Sequence, residues 1–174
     1  ANVARHDFCT FTHSANVACF SVLLARDLGI DDVASLREIA SAGMLHDLGK
    51  LEIPNAILTK PGRLTPEEFT VMKLHPARGF QMLRTELTVG QLMMVYQHHE
   101  KLDGKGYPVG CVADEIHDWA KICAVADVFE ALTGKRPYRR PNASHEALAI
   151  MERSSGTHFD AAALHCWQRH FVQE

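Results

Sequence analysis

Hydrophobic positions along this chain recur at helical spacing in one segment after another, and no stretch keeps the two-residue alternation of a half-buried strand. From Arg5 to Leu28, the positions His13, Val17, Phe20, Leu24 and Leu28 form one stripe, and Gly29 stands where a helix C-terminus favours glycine. A second helix is predicted from Asp32 to His46, with Leu36, Ile39, Gly43 and His46 on one side, Asp31 or Asp32 as its cap and Gly49 closing it. Residues 51–64 contain Pro54, Pro61 and Gly62 and read as a loop with at most one short turn. Thr65-Pro66-Glu67-Glu68 has the cap, proline and glutamate of a strong helix start. That helix should reach His75, where Pro76 breaks it and leaves His75 extended. Further helices are expected at Pro76–Arg84, Val89–His98, Trp119–Leu132, Ser144–Arg153 and Asp160–Val172, with a long glycine-containing loop from Lys101 to Asp118. The expectation is an all-α fold, a compact bundle of about seven or more helices in a single domain over residues 1–174.

Composition narrows the classes. A formal charge of −3 argues against a general DNA binder, so any attraction for phosphate must be local. Cysteines at 9, 19, 111, 123 and 166 form no Cys-x-x-Cys pair and read as reduced thiols of a cytoplasmic protein. No apolar run approaches the roughly 20 residues of a membrane span, and no signal segment opens the chain.

The chemistry concentrates in two stretches, His46-Asp47-Leu48-Gly49-Lys50 and His98-His99-Glu100-Lys101-Leu102-Asp103-Gly104-Lys105-Gly106-Tyr107-Pro108. Adjacent imidazoles cannot share a helical face, but at a helix end both can turn into one pocket. Imidazole and carboxylate ligate divalent metals, and lysine is a point charge suited to phosphate, so the pair reads as a metal-dependent phosphoester site. His13, inward on the first helix, reads alone as a core histidine bonded to a carbonyl; beside four other candidate ligands it reads as a ligand. Asp47 opposes the dipole of the helix it ends, a mismatch that a metal would repair. Asp127 interrupts an apolar helix and must either pair with an arginine or ligate a metal. The run Lys135-Arg136-Pro137-Tyr138-Arg139-Arg140-Pro141 is either a solvated charge cluster or a source of cations at the site mouth. His145, His158, His165 and His170 carry no chemistry in this reading.

The succession HDxGK and HHExxDGxGYP resembles the HD-GYP family, a branch of the HD-domain metal-dependent phosphohydrolases. That resemblance implies an HD-type helical bundle and makes His75 the next ligand. It implies two divalent metals, one on His13, His46, Asp47 and Asp127, the other on His75, His98, His99 and a bridging Asp47. Iron or manganese is the implied pair, with zinc or nickel permitted by the ligand types. The implied activity is hydrolysis of cyclic di-GMP to linear pGpG, in some members on to GMP, by a hydroxide held between the metals. Lys50 would stabilise the phosphate oxygens, and Tyr107, Arg136 and Arg139 would contact substrate. Members with a third metal carry a glutamate where this chain has Cys9, so two metals and weak cleavage of the linear product are expected. The resemblance, with a chain that starts at Ala1, also suggests a catalytic fragment behind a receiver or sensor domain, with a homodimer or a diguanylate cyclase among conceivable partners. Rival readings are an HD phosphohydrolase acting on another nucleotide, and a non-catalytic or weakly active cyclic-dinucleotide receptor or docking module, in which ligands would usually be missing.

Overall fold

The computed structural model describes residues 2–135 and 140–171, with side chains from Phe11 onward. A 26-residue helix α1 (Asn2–Asp27) leads, and the turn after it passes through Gly29 at φ +89°, a conformation that costs glycine nothing. Val17 and Leu24 are buried on its inner stripe, whereas Leu28, expected on that stripe, lies past the helix end and is exposed. Helix α2 (Val33–Leu45) starts where Asp32 accepts a bond from the Ser35 N–H at 2.7 Å, and ends at His46. A 3₁₀ turn (Leu48–Glu52) and the short α3 (Asn55–Leu58) fill the stretch expected to be mostly loop.

Helix α4 (Pro66–Met72) opens on the expected capping box. Thr65 Oγ1 accepts from the Glu68 N–H at 3.3 Å, and Glu68 Oε2 accepts from the Thr65 N–H at 2.7 Å. Thr65→Ala should cost about 1 kcal/mol, read as a lower urea midpoint with an unchanged slope. The sequence expectation fails at the next boundary. His75 is not extended: it is the first residue of α5 (His75–Leu83), and Pro76 sits where a missing N–H has no helical partner to lose. Helix α6 (Val89–Gln97) and, after a loop and a 3₁₀ turn (Ala113–Glu115), helix α7 (Asp118–Thr133) follow. The chain closes with α8 (Ser144–Glu152) and α9 (Ala161–Gln168), the latter shorter than expected.

Helix α7 is apolar nearly all round because it is the axis of the bundle, packed against α1, α6, α8 and α9. The main core joins Val17, Leu24, Ile39, Met94, Ile122, Phe129, Leu148 and Trp167. The Trp167 ring lies 5.2 Å from that of Phe20 and 5.3 Å from that of Phe129. A second cluster, Leu83, Leu92 and Val95 with Leu45 and Leu48 against it, fixes α5 and α6 to the end of α2. Pairing of extended backbone among the described residues is confined to two isolated bridges, Asp103 with Val112 and Ser155 with Phe159. No helix of the described residues is long and apolar enough to cross a membrane.

Candidate metal centre

Three helix ends and the middles of two helices deliver the site's histidines and one of its acids. His46 caps α2, His98 caps α6, His99 follows it, and His75 opens α5. His13 projects from α1 and Asp127 from α7, both buried. The helix ends explain why histidines sit there. Nδ1 of His46 donates to the Gly43 carbonyl at 2.7 Å, that of His75 to Met72 at 2.9 Å, and that of His98 to Val95 at 2.8 Å. Each bond satisfies a carbonyl from a terminal helical turn, which the helix leaves without an N–H partner. It also commits the outer nitrogen as donor and turns Nε2 inward with its lone pair.

Asp47 lies at the centre of what these rings surround. It has φ −98° and ψ +5° and makes no capping bond to the turn it opens, so its carboxylate is free to face the rings. Its two oxygens divide them: Oδ1 is 3.2 Å from His75 Nε2 and 3.9 Å from His98 Nε2, while Oδ2 is 3.4 Å from His46 Nε2 and 3.7 Å from His13 Nε2. Asp127 Oδ1 adds to the second half, 3.2 Å from His13 Nε2 and 3.9 Å from His46 Nε2. Donor atoms of Asp47, His75, His98 and His99 lie within 4.8 Å of one another, and so do those of His13, His46 and Asp47.

The donor set fits cations on electrostatic grounds. Nε2 of His75 and Nε2 of His98 are 3.2 Å apart although both rings already donate through Nδ1, so two lone pairs face each other. Only a proton or a cation between them relieves that contact. His46 Nε2 and Asp47 Oδ1 are buried without a hydrogen-bond partner, a costly state that ligation would end. Burial and the neighbouring imidazoles push His98 well below its ordinary range, and burial takes His99 down to about 3, so both are neutral at pH 7, the form that metal ligation requires. Burial alone would lower His13 as well, but bonds to Asp127 and Glu130 hold it up at about 9. Burial would raise Asp47 and Asp127; Lys50 and His46 hold the first well down, and His13 and His46 the second.

The remaining sequence candidates are placed unevenly. Lys50 Nζ reaches back to Asp47 Oδ2 at 2.5 Å with a third of its side chain exposed, so the ammonium keeps donors for a ligand. The half-buried Tyr107 ring lies 4.8 Å from that of His99, 6.4 Å from that of His75 and 6.2 Å from that of Phe69. Burial raises its phenol above the ordinary range, with Asp127 and Asp47 adding to the shift, so it stays neutral. Arg136 and Arg139 fall outside the described residues, as does the Cys9 side chain. The four histidines set aside above are not in the cluster.

Sequence reasoning missed Glu130. This buried acid bonds His13 Nδ1 through Oε2, while Asn16 Nδ2 donates to its other oxygen at 3.4 Å. It does for His13 what helix carbonyls do for the other rings: it fixes the tautomer and raises ligand basicity. The available signal was a second acid three residues after Asp127 on an otherwise apolar helix. Glu130→Gln should weaken metal binding about 10- to 100-fold, measured by competition with a chromogenic chelator, without changing the helical circular dichroism.

Comparison with known proteins agrees with this architecture. The model of the HD domain family matches residues 3–163. A cyclic di-GMP phosphodiesterase of Pseudomonas aeruginosa is 40% identical over 156 residues, 88% of this chain and 37% of that protein. A 3′3′-cGAMP-specific phosphodiesterase of Vibrio cholerae is 43% identical over 152 residues, 87% of this chain and 33% of that protein. The chain thus spans about a third of either relative's own length. Among solved structures, an HDG"Y"P protein from Bdellovibrio bacteriovorus superposes with a TM-score of 0.77 at 21% identity, covering 92% of this chain and 52% of that one.

Proposed function

Because this chain belongs to the HD domain family, we propose that it is the catalytic domain of a phosphodiesterase that opens cyclic di-GMP to linear pGpG. The observation that carries this reading is the division of Asp47, whose two oxygens serve two groups of nitrogen ligands. His13, His46, Asp47 and Asp127 would hold one divalent ion, and Asp47, His75, His98 and His99 the other, iron or manganese by likeness to the HD-GYP branch and zinc or nickel by ligand chemistry alone. When bound, such a pair polarises a phosphoryl group and activates water for in-line attack.

The chain's own residues supply the rest. The Lys50 ammonium lies beside the shared carboxylate, placed to meet charge building on the phosphoryl oxygens. Tyr107 walls the His75 and His99 half and, as a neutral phenol, can donate to a phosphate or pack against a sugar or base. Arg136 and Arg139 would add charge at the mouth of the site by likeness to the family. With Cys9 where a third-metal glutamate would stand, pGpG is the expected end product.

Purified protein, loaded anaerobically with ferrous or manganous ion, is the material for the test. It should hold two ions per chain and convert cyclic di-GMP to pGpG on chromatography. Tight binding without turnover would replace the enzyme reading by a receptor. A second substrate belongs in the assay because the Vibrio relative, 43% identical, is specific for 3′3′-cGAMP. Faster turnover of that dinucleotide would move the substrate assignment and leave the chemistry standing.

A further inference from the structure

Beside the metal cluster, but outside it, lies an acid with no part in the chemistry proposed above. Glu100 follows the two histidines at the end of α6 and is 2% exposed. It points away from the cluster into the loop that returns beneath it. Oε1 accepts from the N–H of Val109 at 2.7 Å and of Gly110 at 3.1 Å, and Oε2 from Gly110 at 3.0 Å and Cys111 at 3.1 Å. Three consecutive backbone donors thus converge on one carboxylate, in bonds about twice as strong as neutral ones.

The loop is drawn against the Glu100 backbone as well. The Tyr107 N–H donates to the His99 carbonyl at 3.2 Å, tying the tyrosine to the histidine whose ring it faces. A side chain at Gly106 would collide with the Glu100 Cα and the Lys101 nitrogen, so this approach needs a glycine. Tyr107 therefore hangs between two anchors, the His99 carbonyl before it and the Glu100 carboxylate behind it, which holds residues 109–111. Val109 itself is 63% exposed, so the packing that assists the second anchor comes from Cys111, buried against Ile116 and Ala120 at the far end of the held segment, while the Val109 and Gly110 N–H groups rest on Glu100.

We propose that Glu100 is a positioning residue: through the backbone of Val109, Gly110 and Cys111 it fixes the Tyr107 ring beside His99, where the nucleotide is to bind. The placement of the ring stands on geometry, whereas its consequence for substrate rests on the functional reading above.

Two arms test it. The first uses no nucleotide. The sequence has three tyrosines, so protein labelled with 3-fluorotyrosine gives three ¹⁹F resonances, that of Tyr107 identified by Tyr107→Phe. In Glu100→Gln, an amide of equal size turns its NH₂ toward backbone N–H groups, and the Tyr107 resonance should shift toward the free-amino-acid position while that of Tyr96 stays. Glu100→Asp keeps the charge with a shorter reach and should fall between, which covers the case of a poorly folding glutamine variant. An unmoved Tyr107 resonance in both variants overturns the proposal.

The second arm is a double-mutant cycle on cyclic di-GMP hydrolysis. Glu100→Gln should raise KM about tenfold with two ions still bound, and should change KM less than about twofold once Tyr107 is already alanine. Independent, multiplying effects, or loss of metal in Glu100→Gln, would mean that Glu100 acts elsewhere than through Tyr107. Wild-type protein inactive on cyclic di-GMP sinks the functional reading instead, and the fluorine arm still decides the placement of the ring.

Discussion

Replacing Asp47 by alanine is expected to remove both turnover and most of the bound metal, because no other side chain in the cluster serves both halves. One of its oxygens faces His75 and His98, the other His13 and His46. Each half would keep its imidazoles, but the rings of His13, His46, His75 and His98 have Nδ1 already bonded to an acid or a carbonyl and offer only Nε2, so none of them can take over the bridge. The two ions would also lose a negative charge that screens their mutual repulsion. A loss on the order of 10³-fold or more in kcat/KM is expected, equivalent to about 4 kcal/mol of transition-state stabilisation. The fold should survive: Asp47 belongs to none of the apolar clusters, and its buried Oδ1 has no hydrogen-bond partner to lose. Elemental analysis beside a turnover assay checks the point, with Asp47→Asn as the variant of equal shape. Two ions per chain and a rate near that of wild type would show that Asp47 is not the shared ligand.

Six of the seven ligand candidates could be picked out of the sequence because their chemistry is in their side chains: imidazoles and acids placed on apolar stripes or at helix ends need a partner wherever the chain puts them; His75 entered only through the likeness to the family. The capping box at Thr65 was equally plain, being local in sequence. Non-local information was hidden. Steric rules disfavour a helical residue before proline, yet His75 is helical because it begins the helix and bonds the last carbonyl of α4. Gly49 looked like a helix terminator, but helix α2 ends at His46, and Gly49 serves a contact with α5, 26 residues downstream at His75. Glu130 and Glu100 stood in view as ordinary acids; what each does depends on a partner 117 residues away for the one and on a folded-back loop for the other. Sequence thus announces residues that need a partner, while residues that are the partner become visible only in three dimensions.

Gly49→Ala is the substitution that should damage the site most without touching a ligand. Gly49 is buried in the 3₁₀ turn just after Asp47, where that turn meets the start of α5. An added Cβ would fall on the His75 carbonyl oxygen and come within 2.5 Å of the Gly79 nitrogen. Both obstacles are backbone, so no side-chain rotation relieves them, and α5 must move away from the turn. That movement separates His75 from Asp47 Oδ1, now 3.2 Å apart, and so opens the half of the site that holds His98 and His99. Overpacking of this kind costs about 1–3 kcal/mol, and a backbone clash places it at the upper end. For a domain of this size that lowers Tm by roughly 6–12 °C. Gly79→Ala is the matched control: its Cβ would approach the Val95 Cγ1 at 3.1 Å and the Gly49 nitrogen at 3.3 Å, and the first of these can yield by a few tenths of an ångström. Thermal melts with metal titrations should therefore rank the two alanines, Gly49→Ala losing one ion selectively and Gly79→Ala keeping both. Equal destabilisation with two ions retained in each would show that the turn and α5 tolerate a spacer, and that His75 is held in place by α5's own packing on α6.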